Sequence, residues 1–219
     1  VNCQRSWLYL QPIFSGTSIQ QKLHKEARDW NTVDKIWTSI MMLTHNSSSY
    51  NDVMHRDQLL PELNHCNELL DSITHGLNAY LESKRLGFPR FFFLSNDELI
   101  SILSHTKDFS KIQDSMQKLF EYVNSITVTD ELDITAMNDA EGETVELHDY
   151  INGNTPEIED WLNAFEEEMK VTLKEYTREA LAAAPKMKRE QWIEKFPAQV
   201  ILTANQIQWT QQVTTVLKG

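Results

Sequence analysis

The chain has 219 residues, with 20 Lys and Arg against 32 Asp and Glu and a formal charge of −12. That balance excludes a general phosphate-neutralising surface, so nucleic acid is not an expected partner. Hydrophobic residues make up 41%, and six glycines and six prolines are few for an all-β protein but ordinary for a helical one.

From about Ser18 to Leu43, the residues Ile19, Leu23, Trp30, Val33, Ile36, Trp37 and Ile40 recur at helical spacing and predict an amphipathic helix. The polar stretch HNSSSYND follows it as a turn. Cys66, Leu69, Leu70, Ile73, Leu77, Tyr80 and Leu81 then predict a second helix from about Asp57 to Lys84. Such a helix would be about 42 Å long at 1.5 Å per residue, with Gly76 as its weakest interior point. Gly87 and Pro89 forbid its continuation. A boundary between packed blocks, where bending concentrates, is expected at Gly76 or at the polar loop from Asn46 to Asn51.

The next stretch, GFPRFFFLSNDELISIL, places Phe91 and Phe93 on one side of a strand at 90–94, and Phe92 and Leu94 on the other. A strand without a solvent face must lie between layers. Ser95 and Glu98 have the spacing of a capping box, so a helix should start at once. Phe91, Phe92, Phe93, Ser95 and Glu98 are therefore the expected structural joint. Ile112, Met116, Leu119, Phe120, Val123 and Ile126 form a further helical stripe.

Between Thr129 and Leu147 the period changes to two. Strands near 131–137 and 143–147 flank the loop NDAEG, in which Gly142 takes the positive-φ position. The exposed tip comprises Asn138, Asp139, Glu141 and Gly142. A two-stranded ribbon is marginal alone, so a third strand, or a helix, is required for it to lie on. Ile158, Trp161, Leu162, Phe165, Met169 and Leu173 mark another helix, with Thr155 as cap, Pro156 in its first turn and Glu157, Glu159 and Asp160 at the positive end of its dipole. Helices at about Lys188–Phe196 and Ala198–Leu217, divided by Pro197, complete the chain.

The expected fold is mainly α: an elongated array of packed antiparallel helices with a small antiparallel β-sheet of about three short strands, near 90–94, 131–137 and 143–147. Within one fragment, a helical block occupies about 1–86. The strand, helices and hairpin occupy about 87–152, and the C-terminal helices about 155–217.

No Gly-rich phosphate loop and no GxGxxG occurs, so no nucleotide or other cofactor is expected here. His45, His55, His65 and His75 are ten apart, which puts successive members some 80° off a common helical face and makes no metal site. Glu166, Glu167 and Glu168 read as a solvated helix face, with Glu166 and Lys170 at i,i+4. Cys3 and Cys66 lie far apart in sequence, suggest no disulfide framework and fit a reducing compartment. Cys66 falls on an apolar stripe and reads as a small buried hydrophobe. Asn46-Ser47-Ser48 matches a glycosylation acceptor only as chance patterns do. No run of about eighteen apolar residues predicts a membrane span. The start VNCQRSW has neither Met nor signal peptide and reads as a piece of a longer chain.

Five collinear strings carry a resemblance: WLYLQPIF, LNAYLESKRLGFPRFFFLSNDELISILS, LDITAMNDAEGETVEL, EDWLNAFEEEMKVTL and QVILTANQIQW. Together they resemble the linker region of dynein heavy chains over nearly the whole length, and the form FLSNDEL is similar to axonemal members. The family usually has Leu-Pro or Met-Pro at Leu23-His24 and a small-residue loop at Asn138 to Ala140. The resemblance implies a helical arm lying across a ring of six ATPase modules and joining it to the tail. Its swing is the power stroke, and this chain would be its ring-proximal half. It implies no catalysis in the fragment, with ATP and Mg in the parent motor. The implied partners are the ring modules of the same heavy chain and, through the parent, other dynein subunits and microtubules in a ciliary or flagellar axoneme. A non-motor helical scaffold that binds partner peptides is the alternative.

Overall fold

The structure, a computed structural model, describes residues 1–47, 49–104 and 109–218. It divides into two compact units, Val1–Lys111 and Ile112–Gly219.

The first unit is built on three long helices, α1 (Asn2–Ser15), α3 (His24–Asn46) and α5 (Leu59–Gly87). Each contributes one buried stripe: Leu10 and Phe14 from α1, Trp30, Val33, Trp37 and Ile40 from α3, and Cys66, Leu70, Ile73, Leu77 and Leu81 from α5. Spacings of three and four put each set on a single face. Aromatic rings fill the seam between α1 and α3. Trp7 stacks on Trp30 with centroids 6.1 Å apart, Phe14 stacks on Trp30 at 5.8 Å, and Trp7 lies 6.2 Å from Trp37. The Trp7 indole donates to Asp34 Oδ1 at 3.1 Å, which satisfies its one polar atom.

The helix expected from Ser18 to Leu43 is divided at Leu23, whose φ of −116° and ψ of 66° lie outside the helical region. A short α2 (Thr17–Lys22) precedes the break. The short α4 (Tyr50–Met54) leads into α5, which runs 29 residues without interruption. Beyond α5 come a 3-10 helix (Pro89–Phe93) and α6 (Asn96–Ser104).

The strand expected at 90–94 is absent; that segment is the 3-10 helix. Pro89 fixes φ near the helical value and donates no hydrogen bond, and Phe91 N–H and Leu94 N–H close i→i+3 bonds to Phe88 and Phe91 carbonyls at 3.0 and 3.1 Å. Helix α7 comprises Phe109–Leu119.

The second unit carries a three-stranded antiparallel sheet in the order β1 (Ser125–Val128), β2 (Asp133–Asn138), β3 (Thr144–Asn152). The hairpin and the three-strand count are as expected, but the third strand is Ser125–Val128. Ile126, assigned to a helical stripe on spacing alone, sits in this strand. The β-branched run Ile-Thr-Val-Thr was the available signal.

Pairing of β2 with β3 jumps from Ile134–Ile151 to Ala136–Glu146, so residues 147–150 bulge opposite Thr135. Helix α8 (Ile158–Ala183) supplies what the ladder lacks there. His148 N–H donates to Thr172 Oγ1 at 2.9 Å, Asp149 N–H donates to Glu168 Oε1 at 3.0 Å, and the fully buried Thr172 hydroxyl donates to the same Glu168 oxygen at 2.9 Å. On the opposite edge, Gln113 of α7 receives Ile126 N–H at 2.9 Å and donates to Ile126 O at 2.8 Å. Phe120 and Phe165 meet edge to face at 5.1 Å under the sheet.

Helix α8 starts two residues past Pro156, because the Thr155 hydroxyl donates to the Glu157 carbonyl at 2.7 Å and does not cap the helix. It is followed by a 3-10 turn (Ala184–Lys186), α9 (Arg189–Lys195) and α10 (Ala198–Lys218). Trp192 donates its buried indole N–H to Ala180 O at 2.8 Å and packs with Phe196, Val200 and Ala204 in a satellite core. Among the described residues, no helix is long and apolar enough to cross a membrane.

Thr172→Val keeps the shape and deletes the hydroxyl shared by the bulge and Glu168. The loss expected from an unsatisfied donor is about 1–3 kcal/mol of stability, read as a lower urea midpoint at constant slope.

Candidate functional site

The expected joint divides into a buried half and an exposed half. Phe91 is fully buried and meets Phe88 edge to face at 5.1 Å, whereas Phe92 and Phe93 are 56% and 67% exposed. A 3-10 helix turns its side chains through three directions per turn, so three consecutive phenylalanines cannot share one buried layer. Arg85 bridges the turn: its guanidinium donates to Leu94 O at 3.2 Å and to Asn96 Oδ1 at 2.8 Å, and lies 5.9 Å from the Phe92 ring centre.

Ser95 and Glu98 form the capping box read from the sequence. Glu98 N–H donates to Ser95 Oγ at 3.3 Å, while Ser95 N–H and Oγ donate to Glu98 Oε2 at 2.9 and 2.8 Å. With Phe91 buried against Phe88, the passage from α5 to α6 is short, bonded at each end and anchored in the core.

Gly76 lies within unbroken α5, where Glu26 of α3 crosses directly over it. A methyl group on its Cα would meet the Glu26 side chain, with Cγ at 2.7 Å. Helix propensity alone favours alanine there by about 1 kcal/mol, and this contact opposes the gain. In the polar loop from Asn46 to Asn51, Ser48 lies outside the described residues, as does that part of the Asn46-Ser47-Ser48 acceptor sequence.

The hairpin tip is held from within. Asp139 Oδ1 accepts the N–H groups of Glu141 and Glu143, both at 2.8 Å, and Asp139 N–H donates to Glu143 O at 3.0 Å. Asn138 donates to Ser125 Oγ and Thr127 Oγ1 and accepts from Thr144 Oγ1 at 2.8 Å, tying all three strands. Gly142 adopts φ 96°, as the turn requires. Glu143 receives Ala198 N–H at 2.9 Å and so caps the start of α10. Glu141 and Gly142 form the outward part of the tip, both exposed.

Lys170 bonds Glu167 and Glu166 at 2.8 and 3.1 Å on an exposed face of α8. Among the described residues, no three His, Cys, Asp or Glu side chains gather as a metal ion would require.

Long helices locked by an aromatic seam, and a small sheet whose edges are bonded by helix side chains, define a mainly α structural region. The chain belongs to the dynein heavy chain family: the family described as Dynein heavy chain, N-terminal region 2 matches residues 1–180. It is 41% identical over 219 residues to dynein axonemal heavy chain 1 of Homo sapiens, covering 100% of this chain and 5% of that protein. It is 41% identical over 218 residues to dynein axonemal heavy chain 12 of Homo sapiens, covering 99% and 7%. Dynein axonemal heavy chain 3 of Homo sapiens is 38% identical over 219 residues, covering 99% and 5%. The chain thus spans only a small part of the length of these relatives.

The Gly76 crossing gives a measurable sign. Gly76→Ala alone is expected to be neutral or destabilising, whereas in a Glu26→Ala background it should stabilise by up to about 1 kcal/mol. A double-mutant cycle by chemical denaturation reads the difference.

Proposed function

We propose that this chain is the ring-proximal part of the linker of an axonemal dynein heavy chain, a lever that couples ATP-driven changes in an ATPase ring to movement of the tail. The observation that carries the proposal is the family match over residues 1–180, which falls on collinear motifs that here build stiff, bonded elements. ATP and Mg act in the parent motor. The partners are ring modules of the same heavy chain and, through the parent, other dynein subunits and microtubules of the axoneme.

A lever transmits force only if its elements resist bending. Helix α5 spans about 43 Å at 1.5 Å per residue, with five apolar side chains packed along one face. The Phe91 anchor, the Ser95–Glu98 box and the Arg85 bridge leave no slack connector between α5 and α6. In the lever, the Glu26–Gly76 crossing is the hinge candidate, because glycine is the weakest interior point of α5 and Glu26 of α3 covers it directly. The outward tip residues Glu141 and Gly142 are the ring-contact candidates, while Asn138 and Asp139 hold the tip in shape.

Asn78 and Ala79 are exposed positions of α5. Replacing both with glycine in the intact heavy chain softens the helix, at about 1 kcal/mol per position, without deleting a core contact. The expected outcome is slower microtubule gliding at an unchanged rate of ATP hydrolysis; unaltered gliding velocity would sink the lever reading. For the tip, Glu141→Lys leaves the Asp139 bonds intact and should slow gliding. A velocity equal to that of the unmodified motor would reduce the tip to a covering turn.

A further inference from the structure

Helix α2 packs against both α1 and α6. The three helices line a groove of about 700 Å³, within the size range of ligand clefts. Ile13, Ile19 and Ile100, one from each helix and all buried, form its apolar floor. The rim is open, with Leu8 and Tyr9 of α1 57% and 41% exposed.

Asp97, in the first turn of α6, is the only charged residue among the described lining residues, and Ser101 lies one turn further along the same face. Among the described residues Asp97 has no ion-pair partner. Its neighbour Glu98 is engaged with Ser95 in the capping box. Burial, and then the charge of Asp97, push the Tyr9 phenol up. Near neutral pH it therefore remains a hydroxyl able to donate and accept. A carboxylate that shares a groove with two hydroxyls and an aliphatic floor is complementary to a cation carried on an apolar stem.

We propose that this groove seats an arginine side chain of a partner peptide, its stem on Ile13, Ile19 and Ile100 and its guanidinium against Asp97. Arginine suits the site better than lysine. Its planar fork bonds a carboxylate twice, it stacks on an aromatic ring such as that of Tyr9, and it is the more weakly hydrated cation. Leu8 on the rim offers a contact to an aliphatic residue beside the arginine, which favours a peptide over a free amine as the occupant.

The test titrates the unmodified, isotope-labelled chain with the capped peptide acetyl-Leu-Arg-Leu-amide and follows its amide resonances. A second peptide carries citrulline for arginine, which keeps the shape and removes the charge, and a third carries lysine. The expected result is saturable shifts at Leu8, Gly16, Ile19 and Ser101, with the citrulline peptide about tenfold weaker and the lysine peptide between the two. Added salt should weaken the arginine peptide and leave the citrulline peptide unchanged. Asp97→Asn, isosteric and exposed, should bring the arginine and citrulline peptides to one affinity; the comparison of peptides on the unmodified chain stands whether or not this variant folds. Absence of saturable shifts, or shifts outside α1, α2 and α6, would overturn the proposal. So would citrulline or lysine peptides that bind as tightly as the arginine one, an unchanged preference in folded Asp97→Asn, or a groove filled by a second copy of the chain that the peptide does not displace.

Discussion

Every backbone N–H and C=O that leaves water must find a partner, and this requirement organises the molecule where helix and ladder hydrogen bonds stop. Gln113 serves both backbone groups of Ile126 at one edge of the sheet. Thr172 and Glu168 serve the bulge at the other. Glu143 covers the first free N–H of α10, Ser95 and Glu98 cover each other's at α6, Trp192 reaches the Ala180 carbonyl, and Arg85 reaches that of Leu94. Apart from the local cap of α6, a side chain from one element completes the backbone of another segment. The hydrophobic stripes bring elements together without direction; these bonds fix register and angle.

The helical stripes were legible because burial on one face imposes a period that composition cannot hide. Cys66, Leu70, Ile73, Leu77 and Leu81 are buried as their spacing implies, and the capping box and Gly142 were readable because each depends on residues close in sequence. The Phe-Phe-Phe run misled because three adjacent aromatics satisfy a two-sided strand pattern equally well when only one of them is buried. What decides between strand and 3-10 helix is the availability of a ladder partner. That place beside β2 is taken by Ser125–Val128, a fact of tertiary structure. The Trp7–Trp30–Trp37 seam and the Glu26 crossing likewise join residues far apart in sequence, which no local pattern encodes.

One departure from the family pattern has a simple structural setting. Where the resemblance read from the sequence has proline, this chain has His24, the first residue of α3, and Leu23 before it is non-helical. Proline is well suited to a first helical position, since the N–H it lacks has no intrahelical acceptor. The break between α2 and α3 is therefore kept with histidine in its place. The hairpin makes a related point. Asp139 is spent on the turn itself, so variation among the neighbouring loop residues can alter the outward surface without dissolving the turn.

The six tryptophans fall evenly between the two units, with Trp7, Trp30 and Trp37 in one and Trp161, Trp192 and Trp209 in the other. In the first set, indole packs against indole, Trp7 lying against both Trp30 and Trp37. Stacked indoles couple their electronic transitions, so the first unit carries its own optical signature in the near ultraviolet. Parting α1 from α3 extinguishes that signature while leaving the emission of Trp161, Trp192 and Trp209 in place, and the chain thereby carries an internal gauge of the order of one unit, free of any attached dye.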